Sequence, residues 1–188
     1  MNKENVLTIV VALIVGILGG YLIVNVTNHN SELPSNISVP QGSGSPNDYQ
    51  VRIAEAEKIL AKDPKNARVW IQLANDCFDT GQSQKAVAAY SKVLELEPKN
   101  VNALTDQGIM YRKIGWYDKA IANFEKAQSI DPNHLQSLYN LGVVYLNDLK
   151  QPGKAREFWK KYLQLDSTSP TAQEIKAQLA GMSAETGK

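Results

Sequence analysis

The side chains that could do chemistry are few in this 188-residue chain, and badly placed for it. There are two histidines, His29 and His134, far apart in the sequence, and a single cysteine, Cys77. A metal site needs several such ligands converging, and a histidine-based triad needs a nucleophile and an orienting carboxylate within hydrogen-bond reach. No Gly-rich phosphate loop, paired-histidine motif or Cys-x-x-Cys-His haem-attachment sequence occurs. Carboxylates such as Glu95, Glu97 and Glu125 fall at ordinary solvated helix positions. The sequence thus predicts no enzyme, no metal and no cofactor. Cys77 alone excludes an internal disulfide and reads as a buried thiol on an apolar helix face. A formal net charge of +1 offers no electrostatic footprint for nucleic acid.

What the sequence does contain is a register of 34 residues: Trp70, Leu104 and Leu138 are in step, as are Ala74, Gly108 and Gly142, and Cys77, Tyr111 and Tyr145. Further on come Ala86, Ala120 and Ala155, then Tyr90, Phe124 and Trp159, then Pro98 and Pro132. Small residues suit positions where helix backbones approach closely, and aromatic residues fill the space between. This period and pattern resemble the tetratricopeptide repeat. The resemblance implies an all-α chain, a solenoid of helical hairpins whose units bury their apolar faces only by stacking.

On this reading the chain divides into an opening half-repeat helix (48–66), three repeats (67–100, 101–134 and 135–168) and a capping helix with tail (169–188). The opening helix is expected from Asp48 to Ala61, closed by Pro64 one period before Pro98. Turns are expected at Thr80-Gly81-Gln82 and Ile114-Gly115-Trp116. Gln107 departs from the pattern, standing where Leu73 and Leu141 stand in the neighbouring repeats. In the third repeat Lys150-Gln151-Pro152-Gly153 replaces the turn with one extra residue, so Ala155 and Trp159 arrive one position late. Ser169 and Pro170 suit the N-cap and first turn of a last helix reaching about Ala180, with 181–188 as a frayed tail.

The N-terminus reads differently. Val6 to Val26 is apolar and uncharged, long enough for the roughly 30 Å hydrocarbon core. It ends without a small-x-small cleavage site, which points to an uncleaved transmembrane signal anchor occupying 1–27. Lys3 lies before it, and no Lys or Arg follows until Arg52, so the N-terminus is expected in the cytoplasm and the repeats outside it. In a bacterium that is a single-pass protein of the inner membrane with a periplasmic repeat domain. Ala12, Gly16 and Gly20 recur every fourth residue on one helical face, a spacing that lets membrane helices pair, with a second copy or another partner. Residues 28–47, rich in Pro, Gly, Ser and Asn, read as a flexible tether of roughly 25 Å reach.

In the family, the second, fifth, ninth and twelfth positions of each repeat face a concave groove. The resemblance therefore implies a peptide-binding groove of Arg68, Ile71, Asn75 and Phe78, then Asn102, Thr105, Ile109 and Arg112, then Gln136, Tyr139, Val143 and Leu146. Several are apolar, which suits an amphipathic or extended apolar peptide held at its polar groups by Asn75, Arg112 and Gln136. The basic clamp some members use for chaperone C-termini is missing, since Ile71, Asp106, Gln136 and Asn140 occupy its positions. The layout of anchor, tether and repeats resembles the repeat subunits of bacterial cytochrome c haem-attachment machinery, and also translocon-associated periplasmic chaperones. It implies a membrane-anchored adaptor for a protein segment, assisting complex assembly. The competing expectation is a self-associating scaffold.

Overall fold

The computed structural model describes residues 45–185. Among them are eight helices and no strand. They are α1 (Pro46–Leu60), α2 (Ala67–Asp79), α3 (Ser83–Leu96), α4 (Val101–Lys113), α5 (Tyr117–Ile130), α6 (Leu135–Val143), α7 (Pro152–Leu165) and α8 (Pro170–Glu185). Each packs on its neighbours in sequence, as a stacked solenoid requires. No helix among the described residues is long and apolar enough to cross a membrane. The Val6–Val26 segment, with Ala12, Gly16 and Gly20, lies outside them, as does nearly all of the tether.

The 34-residue register is also a register of caps. Asn66, Asn100 and His134 precede α2, α4 and α6, and each side chain accepts from the backbone N–H three residues on, at 3.3, 3.0 and 3.3 Å. His134 can do so only through an unprotonated Nδ1, and burial holds its pKa below the ordinary value. Hairpin turns repeat too. Gln82 N–H bonds Cys77 O, and Trp116 N–H bonds Tyr111 O, both at 2.8 Å, with Gly81 and Gly115 at φ of +71° and +78°.

The third hairpin makes the corresponding bond differently. Gln151 N–H reaches Tyr145 O at 2.7 Å across one more residue. The chain fits that residue by widening the end of α6 into a π turn, Val144–Asp148. Lys150 takes the left-handed position at φ +55°, while Pro152 and Gly153 already belong to α7. The extra residue thus enters the helix as well as the loop.

The core is built from the aligned small and aromatic residues. Phe124 and Trp159, on the second helices, lie over Gly108 and Gly142 on the first, and Tyr90 and Ala74 share one core in the first repeat. A Cβ at Gly108 would stand 2.5 Å from Phe124 Cε1, and one at Gly142 would fall within the Trp159 indole. One core groups α1, α2, α3 and part of α4; another groups α5 through α8; Ile109 packs against both. Gln107 belongs between them for a polar reason. Its Nε2 donates to Val87 O and Ser91 Oγ at 3.0 and 2.8 Å, and its Oε1 accepts from Asn123 at 2.8 Å. A leucine there would strand those partners.

The helix α1 begins at Pro46, two residues inside the expected tether, because Pro46 suits the first turn and Ser45 N–H bonds the Asp48 carboxylate at 2.7 Å. At the other end, α8 runs past Gly181 instead of fraying there, with Met182 buried against the second core. Ser169 Oγ caps it, accepting from Ala172 N–H at 3.1 Å. Ala172, Ile175 and Met182 face α6 and α7, while Gln173, Lys176 and Ala177 are exposed where another helix would pack. That polar outer face ends the stack.

Candidate binding groove

The helices α2, α4, α6 and α8 come first in their units, and a chain of polar contacts runs across the face they share. Tyr49 Oη lies 3.4 Å from Asp79 Oδ2 at its N-terminal end. Tyr90 Oη donates to Asn75 Oδ1 at 2.8 Å. Arg112 Nε donates to Asp148 Oδ2 at 2.5 Å, and Nη2 to Oδ1 at 3.4 Å. Tyr139 Oη donates to Glu174 Oε1 at 3.1 Å. The π turn matters here, since Asp148 is its last residue.

The twelve expected groove positions separate by exposure. Arg68, Asn75, Asn102 and Gln136 are exposed; Ile71, Phe78, Ile109, Arg112, Tyr139 and Leu146 are partly covered. Two are buried. Thr105 is fully buried, its hydroxyl turned back to Val101 O at 2.9 Å. Val143 is largely buried in the second core, just before the π turn. Thr105 offers no surface to a ligand, and Val143 only 9% of its own. Register alone therefore does not give exposure. The face is also more polar than an apolar-peptide groove: Asn75 and Arg112 already have partners within the protein, and Lys113 Nζ stands 5.0 Å from the centre of the Phe78 ring.

A carboxyl that the groove positions did not include occupies the middle of this face. Asp106 stands in register with Gln72 and Asn140, a charge where the neighbouring repeats carry amides. Burial pushes its pKa up to about 6, the nearby Asp79 adds to the rise, and hydrogen bonding from Gln136 and Tyr90 opposes it. Burial and the same two carboxylates push Tyr90 up as well. Only the position in the repeat hinted at Asp106; its desolvation is a property of the assembled face.

Because the folded pKa of Asp106 lies above its ordinary 3.8, the folded state holds the proton more tightly than the unfolded chain. Its contribution is therefore fully present below pH 3.8 and is lost as pH rises through about 6. Asp106→Asn should raise stability by on the order of 1–2 kcal/mol at pH 7.5, and by much less at pH 4.5. Calorimetric melts of both proteins at the two pH values measure this, and titration of His134 cancels in the difference. An equal gain at both values would mean that Asp106 ionises as freely as in water.

Tetratricopeptide-repeat models match the sequence at 67–100, 89–122 and 136–169, and a further TPR-repeat model matches at 108–148. The chain belongs to the tetratricopeptide-repeat family. Solved structures agree on the fold. A crystal structure of MamA protein is similar with a TM-score of 0.63 at 22% identity, covering 72% of this chain and 77% of that one. MamA from Desulfovibrio magneticus gives 0.61 at 20% identity, over 66% and 70% of the two chains. The TPR domain of Arabidopsis OM64 gives 0.58 at 19% identity, over 62% and 95%. Among curated proteins, none matches. Tetratricopeptide repeats are protein-interaction modules, and the face described above is the one their first helices present.

Proposed function

We propose that this protein is a membrane-tethered adaptor, without catalytic activity, that holds a segment of another protein along the face of α2, α4 and α6. The observation that carries the reading is the make-up of that face: Phe78 and Tyr139 stand partly open, with exposed Asn75 and Gln136 and the half-buried Asp106 between them. Aromatic rings supply contact area at small entropy cost, and the amides can pair with an extended backbone. Val6–Val26 supports the tether, and the Lys3 flank supports a periplasmic repeat domain on a bacterial inner membrane. Assistance to complex assembly, cytochrome c maturation included, is the finer reading and rests on the layout of anchor, tether and repeats.

A photo-crosslinking residue at Asn75 or Gln136 of the full chain should capture a protein partner in cells. Phe78→Ala combined with Tyr139→Ala should weaken that capture about tenfold or more, as loss of two aromatic anchors does, with the helical circular dichroism retained. Capture at full yield by a folded double variant would remove this face from the binding site.

A further inference from the structure

The first turn of the second helix carries a lysine in every repeat: Lys85, Lys119 and Lys154 are in register once the extra residue of the third hairpin is counted. Lys85 pairs with Glu57 at 3.3 Å. The other two lie over aromatic rings. Lys119 Nζ is 4.2 Å from the Trp116 centroid and 5.6 Å from that of Tyr111, and Lys154 Nζ is 4.9 Å from Tyr145. Trp116 stacks on Tyr111 at 5.8 Å yet remains 50% exposed. Its turn does not require an indole, because Gln82 and Gln151 occupy the same place in the neighbouring hairpins. An exposed tryptophan outside the core, beside lysines, marks a contact surface more than a packing need.

Two observations select the occupant. The surface is net cationic: Lys113, Lys119, Lys150 and Lys154 are exposed around these two hairpin turns, against Asp118 and Glu125, the latter near Tyr145, while Asp148 is held by Arg112. The chain also joins the repeats along this same edge. The first turn of α1 lies beside the end of α2, as the Tyr49–Asp79 contact shows, so Ser45 leaves from the side that bears the hairpin turns. The sequence before it contains the apolar Val6–Val26. Tryptophan at headgroup depth and lysine with its stem along apolar surface are the side chains that suit a lipid interface.

We propose that the hairpin-turn edge of the second and third repeats docks on an anionic lipid surface, with Trp116 entering the headgroup layer and Lys119 and Lys154 facing lipid phosphates. The choice of lipid over an acidic protein rests on the anchor reading. Docking there leaves the face of α2, α4 and α6 open to a partner, held beside the membrane.

The test reconstitutes the full chain in vesicles of brominated phosphatidylcholine, with or without one quarter phosphatidylglycerol, and compares wild-type emission with that of Trp116→Phe. The difference isolates Trp116 from Trp70 and Trp159. Its emission should be quenched and blue-shifted in the anionic vesicles and return to the solvent-exposed level in neutral ones. Lys119→Glu with Lys154→Glu should abolish the quench in anionic vesicles. Equal emission loss in wild type and Trp116→Phe, or equal quenching of Trp116 in both vesicle types, overturns the proposal. Trp116 unquenched by lipid yet shielded from aqueous iodide would assign the edge to a protein contact instead, and also overturns it. An alkaline wash scores the anchor separately. A chain retained through the wash with Trp116 unquenched keeps the anchor and loses the docking; a chain washed off after showing the quench keeps the docking and loses the anchor.

Discussion

Arg52→Ala is expected to destabilise the repeat domain by about 3–5 kcal/mol, the cost of leaving a buried carboxylate without its charge partner. Asp76 is only 1% exposed, on the side of α2 that meets α1. Arg52 of α1 reaches it with both ends of the guanidinium: Nη2 pairs with Oδ1, and Nε donates to Oδ2 at 3.2 Å. Gln72 Nε2 also donates to Oδ2, at 3.0 Å, and would be the main neighbour left. The hydrogen bond to Asp76 holds the Arg52 pKa above its ordinary value. Urea unfolding gives the stability loss, and the Cys77 thiol gives its location. Cys77 is wholly buried near α1, so loosening of that helix should make it react with a thiol reagent well before global unfolding. Arg52→Met with Asp76→Leu should recover much of the loss, because an apolar pair needs no desolvated charge. A single variant within about 1 kcal/mol of wild type, its thiol still protected, would show that Ile53, Ala56 and Leu60 hold α1 unaided.

That ion pair was not legible in the sequence, although the helices it joins were. Small-to-aromatic pairs such as Gly108 with Phe124 can be read off because each helix repeats its own period and the two periods agree. Arg52 and Asp76 belong to no repeat pattern, and Met110 and Val144 stand in register with Asp76. The same limit explains Thr105 and Val143, whose register was clear while their burial is a property of the assembled repeats. The extra residue near Lys150 could be counted, but whether loop or helix absorbed it depended on keeping the bond to Tyr145 O and the burial of Val144. Asp106 shows the limit at the binding face. A carboxyl among amides is visible in sequence, yet the burial that shifts it toward neutrality comes from neighbouring units.

Gly142→Ala should be the most damaging single-methyl addition in the third repeat, costing about 3 kcal/mol, the upper part of the range for overpacked cores. The Trp159 indole occupies the space a Cβ would need. It cannot easily retreat, because Nε1–H donates to Tyr139 O at 3.1 Å and the ring stacks on Tyr139 at a centroid distance of 6.5 Å. Gly108→Ala presses on Phe124, which has no polar anchor, so it should cost less. Trp159→Phe combined with Gly142→Ala should recover part of the loss, since the first repeat carries Ala74 and the smaller Tyr90, both buried, at the same two register positions. Thermal melts of the three variants decide the order. The consequence for function is direct, because Trp159 holds the backbone and ring of Tyr139, and Tyr139 carries one end of the proposed binding face through its bond to Glu174. Gly142→Ala should therefore weaken partner capture below its melting temperature, whereas Gly108→Ala should leave capture near wild type at equal folded fraction. Equal effects of the two variants on both readings would mean that Trp159 is a passive filler of the third repeat and does not position the groove.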